Sequence, residues 1–159
     1  MASTGNTLLT KGIPKLADAF VVIVKTEWNA HLVDRLEEGC IKVLNEAGAT
    51  HTTLSVPGAV ELPFAVQRHQ KISSQKADAY ITLGTVIQGG TPHFEYVCQM
   101  VSQGVTQLNL QLPVPVIFGV LTLNNEQEAI DRTGGVHGHK GEEAAITALK
   151  MIALNQSLQ

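Results

Sequence analysis

FVVIVKTEWNAHLVDRLEEGCIKVLNEAG, residues 20–48, contains a change of period that decides the fold. Phe20 to Lys25 is a β-branched apolar run fit for a buried strand. From Asn29 the apolar positions respace to Leu32, Leu36, Cys40, Val43 and Ala47, the stripe of an amphipathic helix, and Gly48 can close that helix as a C-cap. A buried strand has given way directly to a helix.

The alternation repeats downstream. A strand is expected near Thr52 to Val56, a helix from Glu61, a strand from Ala79 to Leu83 and a helix from about Pro92. A strand around Val114 to Leu121, a short helix from about Asn125 and a last helix from about Lys140 to Ile152 complete the series. Upstream, residues 1–18 are polar with Gly and Pro and read as an N-terminal arm, leaving residues 19–159 as one domain. Strands and helices alternating through short links require right-handed crossovers and a parallel sheet covered on both faces. The expected fold is therefore α/β: a flavodoxin-like three-layer sandwich with a central parallel sheet of about four strands flanked by helices. Ligands of such sheets bind beyond the carboxyl ends of the strands, so chemistry is expected just after Lys25, Val56, Leu83 and Leu121.

Composition narrows the partners. Charged residues make up 16% of the chain, below the ~25% of ordinary soluble domains, which points to surface buried against other subunits. A net charge of -3 gives no reason to expect nucleic acid or an anionic membrane as partner, since both need clustered Lys and Arg. No apolar run approaches the roughly 18 residues of a membrane span and the N-terminus lacks a signal-peptide core, so a cytoplasmic location is expected. Cys40 and Cys98 fall on apolar helical positions without metal-ligand spacing and read as buried thiols.

The motifs cluster at the strand ends. In GTVIQGGTPHFEY, residues 84–96, Gly89 and Gly90 permit close backbone approach and Thr91 can cap a helix opened by Pro92. Such a helix start can hold a phosphate on free N–H groups, although an ordinary glycine turn would look the same. His93, in the first helical turn, can be a base near neutral pH or a histidine that merely packs. In VPGAVELPFA, residues 56–65, Glu61 either complements the helix dipole or accepts hydrogen bonds from a polyhydroxyl substrate. DRTGGVHGHKG, residues 131–141, sets Arg132 at one helix end and Lys140 at the next helix start; Arg132 is either a dipole partner or a bidentate phosphate ligand. His137 and His139 without nearby Cys or carboxylate partners are a weak metal signal, and no metal is expected.

Taken together, these three segments, with Trp28-Asn29 after the first strand and Phe118 in the fourth, resemble the lumazine synthase family from about residue 20 onward. The resemblance implies a transferase of riboflavin biosynthesis. Such an enzyme condenses 5-amino-6-(D-ribitylamino)uracil with 3,4-dihydroxy-2-butanone 4-phosphate to give 6,7-dimethyl-8-ribityllumazine, phosphate and water, with no metal or organic cofactor. It implies that Trp28 stacks on the pyrimidine and that Asn29, Ala59, Val60 and Glu61 line the ribityl chain. Thr85, Val86 and Ile87 then line the same pocket, Gly90, Thr91 and Arg132 bind phosphate, His93 shuttles protons and Lys140 completes the pocket. It further implies a site between subunits, with Phe118 supplied by the adjacent chain of a homopentamer or an icosahedral shell of sixty chains. Gln88 stands where the family commonly has arginine, Val60 where an aromatic is frequent and His139 where asparagine is usual. A non-catalytic flavin- or lumazine-binding carrier on the same fold is the alternative; it could dispense with the phosphate and proton groups.

Overall fold

In the computed structural model, which describes residues 9–158, the alternation forms with shifted boundaries. The elements are β1 (Phe20–Thr26), α1 (Ala30–Ala47), β2 (Thr50–Val56), a 3-10 turn (Ala59–Glu61), α2 (Leu62–Ile72), β3 (Ala79–Ile87), α3 (His93–Gln111) and β4 (Val116–Leu123). They continue with α4 (Glu126–Ile130), a small hairpin of β5 (Thr133–Gly135) and β6 (Gly138–His139), and α5 (Lys140–Ser157).

The four long strands pair in parallel in the order β2-β1-β3-β4. Because side chains alternate across a strand, β1 sends Val21 and Ile23 to one face and Val22 and Val24 to the other, all fully buried. The first face packs on α1 and α5 through Leu36, Cys40, Ala145 and Leu149. The second packs on α2 and α3 through Leu62, Val66, Val101 and Val105. These are the three layers expected. The chain leaves β1 for β2 on one side and returns to β3 on the other, so the strand order reverses between β1 and β3, where such sheets open a ligand crevice.

Gly48 ends α1 in the left-handed region at φ 83°, its N–H bonding to the carbonyls of Asn45 and Leu44. The α1/α5 contact is close: a side chain at Gly141 would collide with the Leu36 carbonyl, and the Cys40 thiol donates to the Gly141 carbonyl at 3.0 Å. Burial pushes that thiol's pKa up to about 12, which leaves it unreactive.

Three local expectations need correction. Cys98 is half-exposed, because the buried stripe of α3 runs through Val101, Val105 and Leu108 and leaves residue 98 at its margin. Thr91 does not cap α3; Pro92 occupies the N-cap position in right-handed helical geometry and no side chain bonds the helix start. The stretch read as a glycine-rich loop after Arg132 contains an antiparallel pair, Thr133 with His139 and Gly135 with Gly138. Of the expected arm, Leu9, Ile13 and Leu16 pack against the α1/α5 core, and the Leu16 N–H bonds the Ala47 carbonyl at 3.0 Å. Residues 1–8 lie outside the described residues.

Candidate functional site

A cavity of about 450 Å³ opens at the carboxyl ends of β1 and β3, on the side of α2 and α3. Its walls come from three strand-end segments and the first turns of α3, so nearly every group comes from the end of an element that the cores hold rigid.

The β1 segment supplies Trp28 and Asn29. Trp28 has its N–H bonded to the Pro57 carbonyl and its own carbonyl bonded by the Thr26 hydroxyl, each at 3.1 Å. Its backbone is thus pinned while its indole stays 74% exposed. Asn29 is the one non-glycine residue with positive φ among the described residues, at 58°. Asparagine tolerates that region better than most side chains, and strained backbone of this kind collects at ligand sites. Its side-chain amide donates to the Thr85 carbonyl at 3.4 Å, tying the β1 end to the β3 end.

The β2 segment supplies Pro57, Gly58 and the 3-10 turn Ala59, Val60 and Glu61. Gly58 matters sterically: a Cβ there would stand 3.1 Å from the Glu61 carboxylate, which folds back over the turn. From β3 come Thr85, Val86 and Ile87. Strand alternation puts the Thr85 side chain on the α1/α5 face with Ile81 and Leu83, and its hydroxyl is buried without a partner. Thr85 therefore faces the cavity through its main chain.

Gly89, Thr91 and His93 close the site from the α3 side. The uncapped start of this 19-residue helix leaves its first N–H groups without side-chain acceptors, beside an exposed His93. That combination can hold an anion and move a proton next to it. Gly90, between two lining residues, sits on the same exposed loop.

Ten of the fourteen residues picked out in the sequence line this one cavity, and Gly90 adjoins it. Phe118, Arg132 and Lys140 do not. Phe118 projects from the middle of the edge strand β4 and is 43% exposed. Arg132 donates to the Glu128 carbonyl at 2.9 Å, and Lys140 is held by the Glu143 carboxylate at 2.8 Å. Among the described residues, no arginine or lysine lines the cavity of one chain. Sequence reasoning missed Phe94 and Val97, which face the cavity; the helical spacing of Val97 from His93 carried that signal. Among the described residues, no group of three or more His, Cys, Asp or Glu could hold a metal ion, and no helix is long and apolar enough to cross a membrane.

The fold defines a doubly wound α/β protein whose cavity opens at its topological switch point, where proteins of this architecture bind ligands. Residues 18–156 match the family model described as 6,7-dimethyl-8-ribityllumazine synthase. Relatives of that name occur in Flavobacterium psychrophilum (45% identical, covering 91% of this chain and 77% of the relative), Cytophaga hutchinsonii (46%, covering 89% of each) and Bacteroides fragilis (46%, covering 86% and 96%). The chain belongs to the 6,7-dimethyl-8-ribityllumazine synthase family.

Proposed function

We propose that this chain condenses 5-amino-6-(D-ribitylamino)uracil with 3,4-dihydroxy-2-butanone 4-phosphate, releasing phosphate and water and forming 6,7-dimethyl-8-ribityllumazine. The observation that carries this reading is the single cavity joining Trp28, the Ala59–Glu61 turn, the β3 end and the uncapped start of α3 with His93.

The pyrimidine stacks on Trp28 and meets the β3 main chain, and the ribityl chain lies along Asn29 and the turn with Glu61 as hydroxyl acceptor. The phosphate lies on Gly90, Thr91 and the first N–H groups of α3. The amine attacks the ketone to give an imine with loss of one water, phosphate is eliminated, and ring closure on the second carbonyl expels a second water. His93 moves the protons in these steps. Two reactive substrates held in near-attack geometry need little else, since effective molarities of well-placed groups reach ~10⁵–10⁸ M. A carrier has no use for His93 beside an open helix start, which favours the enzyme over that alternative.

A dianionic phosphate in a cavity without a fixed cation is incomplete, and Phe118, Arg132 and Lys140 stand apart from the cavity of their own chain. The reading is therefore of a homo-oligomer, a pentamer or a sixty-chain shell, in which an adjacent subunit delivers such residues. Exposed Phe64, Tyr96, Met100 and Phe118 supply apolar surface for those contacts. The unpaired thiols Cys40 and Cys98 agree with a cytoplasmic location. Mixing both substrates with the purified protein tests the function: lumazine fluorescence should appear far faster than in buffer, and a rate equal to buffer refutes it.

A further inference from the structure

We propose that His139 is a positioning residue for this site, its ring wedged between α1 and the β5–β6 hairpin and capping α5, so that Arg132 and Lys140 are held in the geometry that meets the phosphate-bearing substrate. This rests on the lumazine-forming reading of the site.

Three consecutive residues make the lock. The His139 ring lies directly on Gly39 of α1, where any Cβ would collide with the imidazole. Its Nδ1 accepts the Glu142 N–H at 3.4 Å, capping α5, so the proton-free nitrogen faces the helix start. The other edge of the ring fills the space beside Gly134 of β5, with Cδ2 3.7 Å from where a Cβ would stand. Two residues on, Gly141 is fixed against Leu36 and Cys40. Lys140 is caught between these anchors; its N–H donates to the Arg132 carbonyl at 2.8 Å, which ties the two cationic residues to each other. Only glycine at position 39 leaves room for the ring.

The lock is sensitive to protonation. Burial is the main cause that holds the imidazole below the ordinary histidine value; Lys42 acts in the same direction, against Glu142 and Glu38. Glu38 and Lys42 come from α1, Glu142 from α5, and Lys42 pairs with Glu142 at 2.9 Å. Lys140 and Glu143 lie alongside on α5, His137 lies in the turn of the hairpin, and Arg132 immediately precedes β5. A protonated ring carries N–H at both nitrogens, so it cannot accept from Glu142 and sets a positive charge at the positive end of α5. The folded ring takes a proton less readily than the unfolded chain. The contribution of the cap is therefore whole above about pH 6.5, begins to fall there, and is lost as pH drops through the ring's lower folded-state value.

The test follows amide protection at Glu142 and steady-state kinetics together, from about pH 8 down to roughly pH 4.5, so as to pass below the lowered value of the folded ring, in wild type, His139→Asn and His139→Ala. Asparagine keeps a capping oxygen and cannot titrate. On acidification the wild type should lose protection at Glu142, and its KM for the butanone phosphate should rise about fivefold relative to His139→Asn, the loss expected for a missing cap, with kcat nearly unchanged. His139→Ala should show the raised KM at every pH; if it fails to fold, the wild type and His139→Asn still decide. A single pH profile shared by those two proteins, in both protection and KM, overturns the proposal. A wild type that forms no lumazine refutes the reading of the site instead, and protection at Glu142 that is independent of pH in that protein still overturns the role of His139.

Discussion

Replacing Trp28 with alanine should weaken ligand binding by an amount the structure sets. An indole offers ~150–250 Å² of surface for burial, and Trp28 keeps 74% of its surface open in the free chain. A flat ring laid on one face takes ~80 Å² of that out of water, worth about 2 kcal/mol at ~25 cal/mol per Å², or roughly thirtyfold in Kd. Because the Trp28 main chain is held by Pro57 and Thr26, the substitution removes the face without moving the loop. Riboflavin serves as the probe, since it carries the ribityl chain and much of the product's ring system, and Trp28 is the only tryptophan of the chain. A titration should quench the emission, with Kd rising about thirtyfold in Trp28→Ala and much less in Trp28→Phe. If dialysis shows riboflavin bound while emission, corrected for inner-filter absorption, stays constant, or if Trp28→Ala binds as tightly as wild type, Trp28 does not stack on the ligand.

His93→Ala should slow turnover by ~10²–10⁴-fold without abolishing it, because positioning survives the loss of acid-base help; an unchanged single-turnover rate removes His93 from the mechanism. Arg132→Ala should raise KM for the butanone phosphate by about 10- to 100-fold, the equivalent of losing a charge-assisted contact, and should leave KM for the pyrimidine nearly unchanged. Equal effects on both constants would contradict its assignment to phosphate. Thr85→Val keeps the shape and deletes a buried hydroxyl that has no partner. It should stabilise the chain by about 1 kcal/mol and raise Tm by ~2–4 °C, with ligand affinity retained because the main chain faces the cavity. A lower Tm in thermal denaturation would mean that the hydroxyl is satisfied.

The sheet was legible because β1 and α1 differ so plainly in period: Val21 to Val24 are buried on both faces, whereas α1 buries one stripe. The boundaries were not. β3 continues four residues past Leu83, since pairing of Gly84 to Ile87 with β4 comes from a partner strand that local pattern does not contain. β4 begins at Val116 and not at Val114, because Pro115 has no N–H for the ladder while its carbonyl still accepts from Tyr80. The β5–β6 hairpin was invisible for the opposite reason: three glycines and short polar residues carry no alternation, and its shape comes from packing on α1 and α5. Most of the cavity wall was legible from segments that end strands, whereas the place of Phe118, Arg132 and Lys140 outside it depends on tertiary geometry. The sequence showed His139 only as a weak metal signal and a departure from asparagine, since nothing in its own segment reveals Gly39 across from it.

The most direct test is a crystal structure of the assembled protein with a non-reacting ribitylaminouracil analogue and inorganic phosphate. The pyrimidine should lie on Trp28 with the ribityl chain along Ala59 to Glu61, and phosphate should lie at Gly90 and Thr91 within reach of an arginine that is not in the cavity wall of the same chain. An empty strand-end cavity with the analogue bound elsewhere, such as the apolar groove between β2 and α2 lined by Leu54, Phe64 and Ile72, would contradict the account.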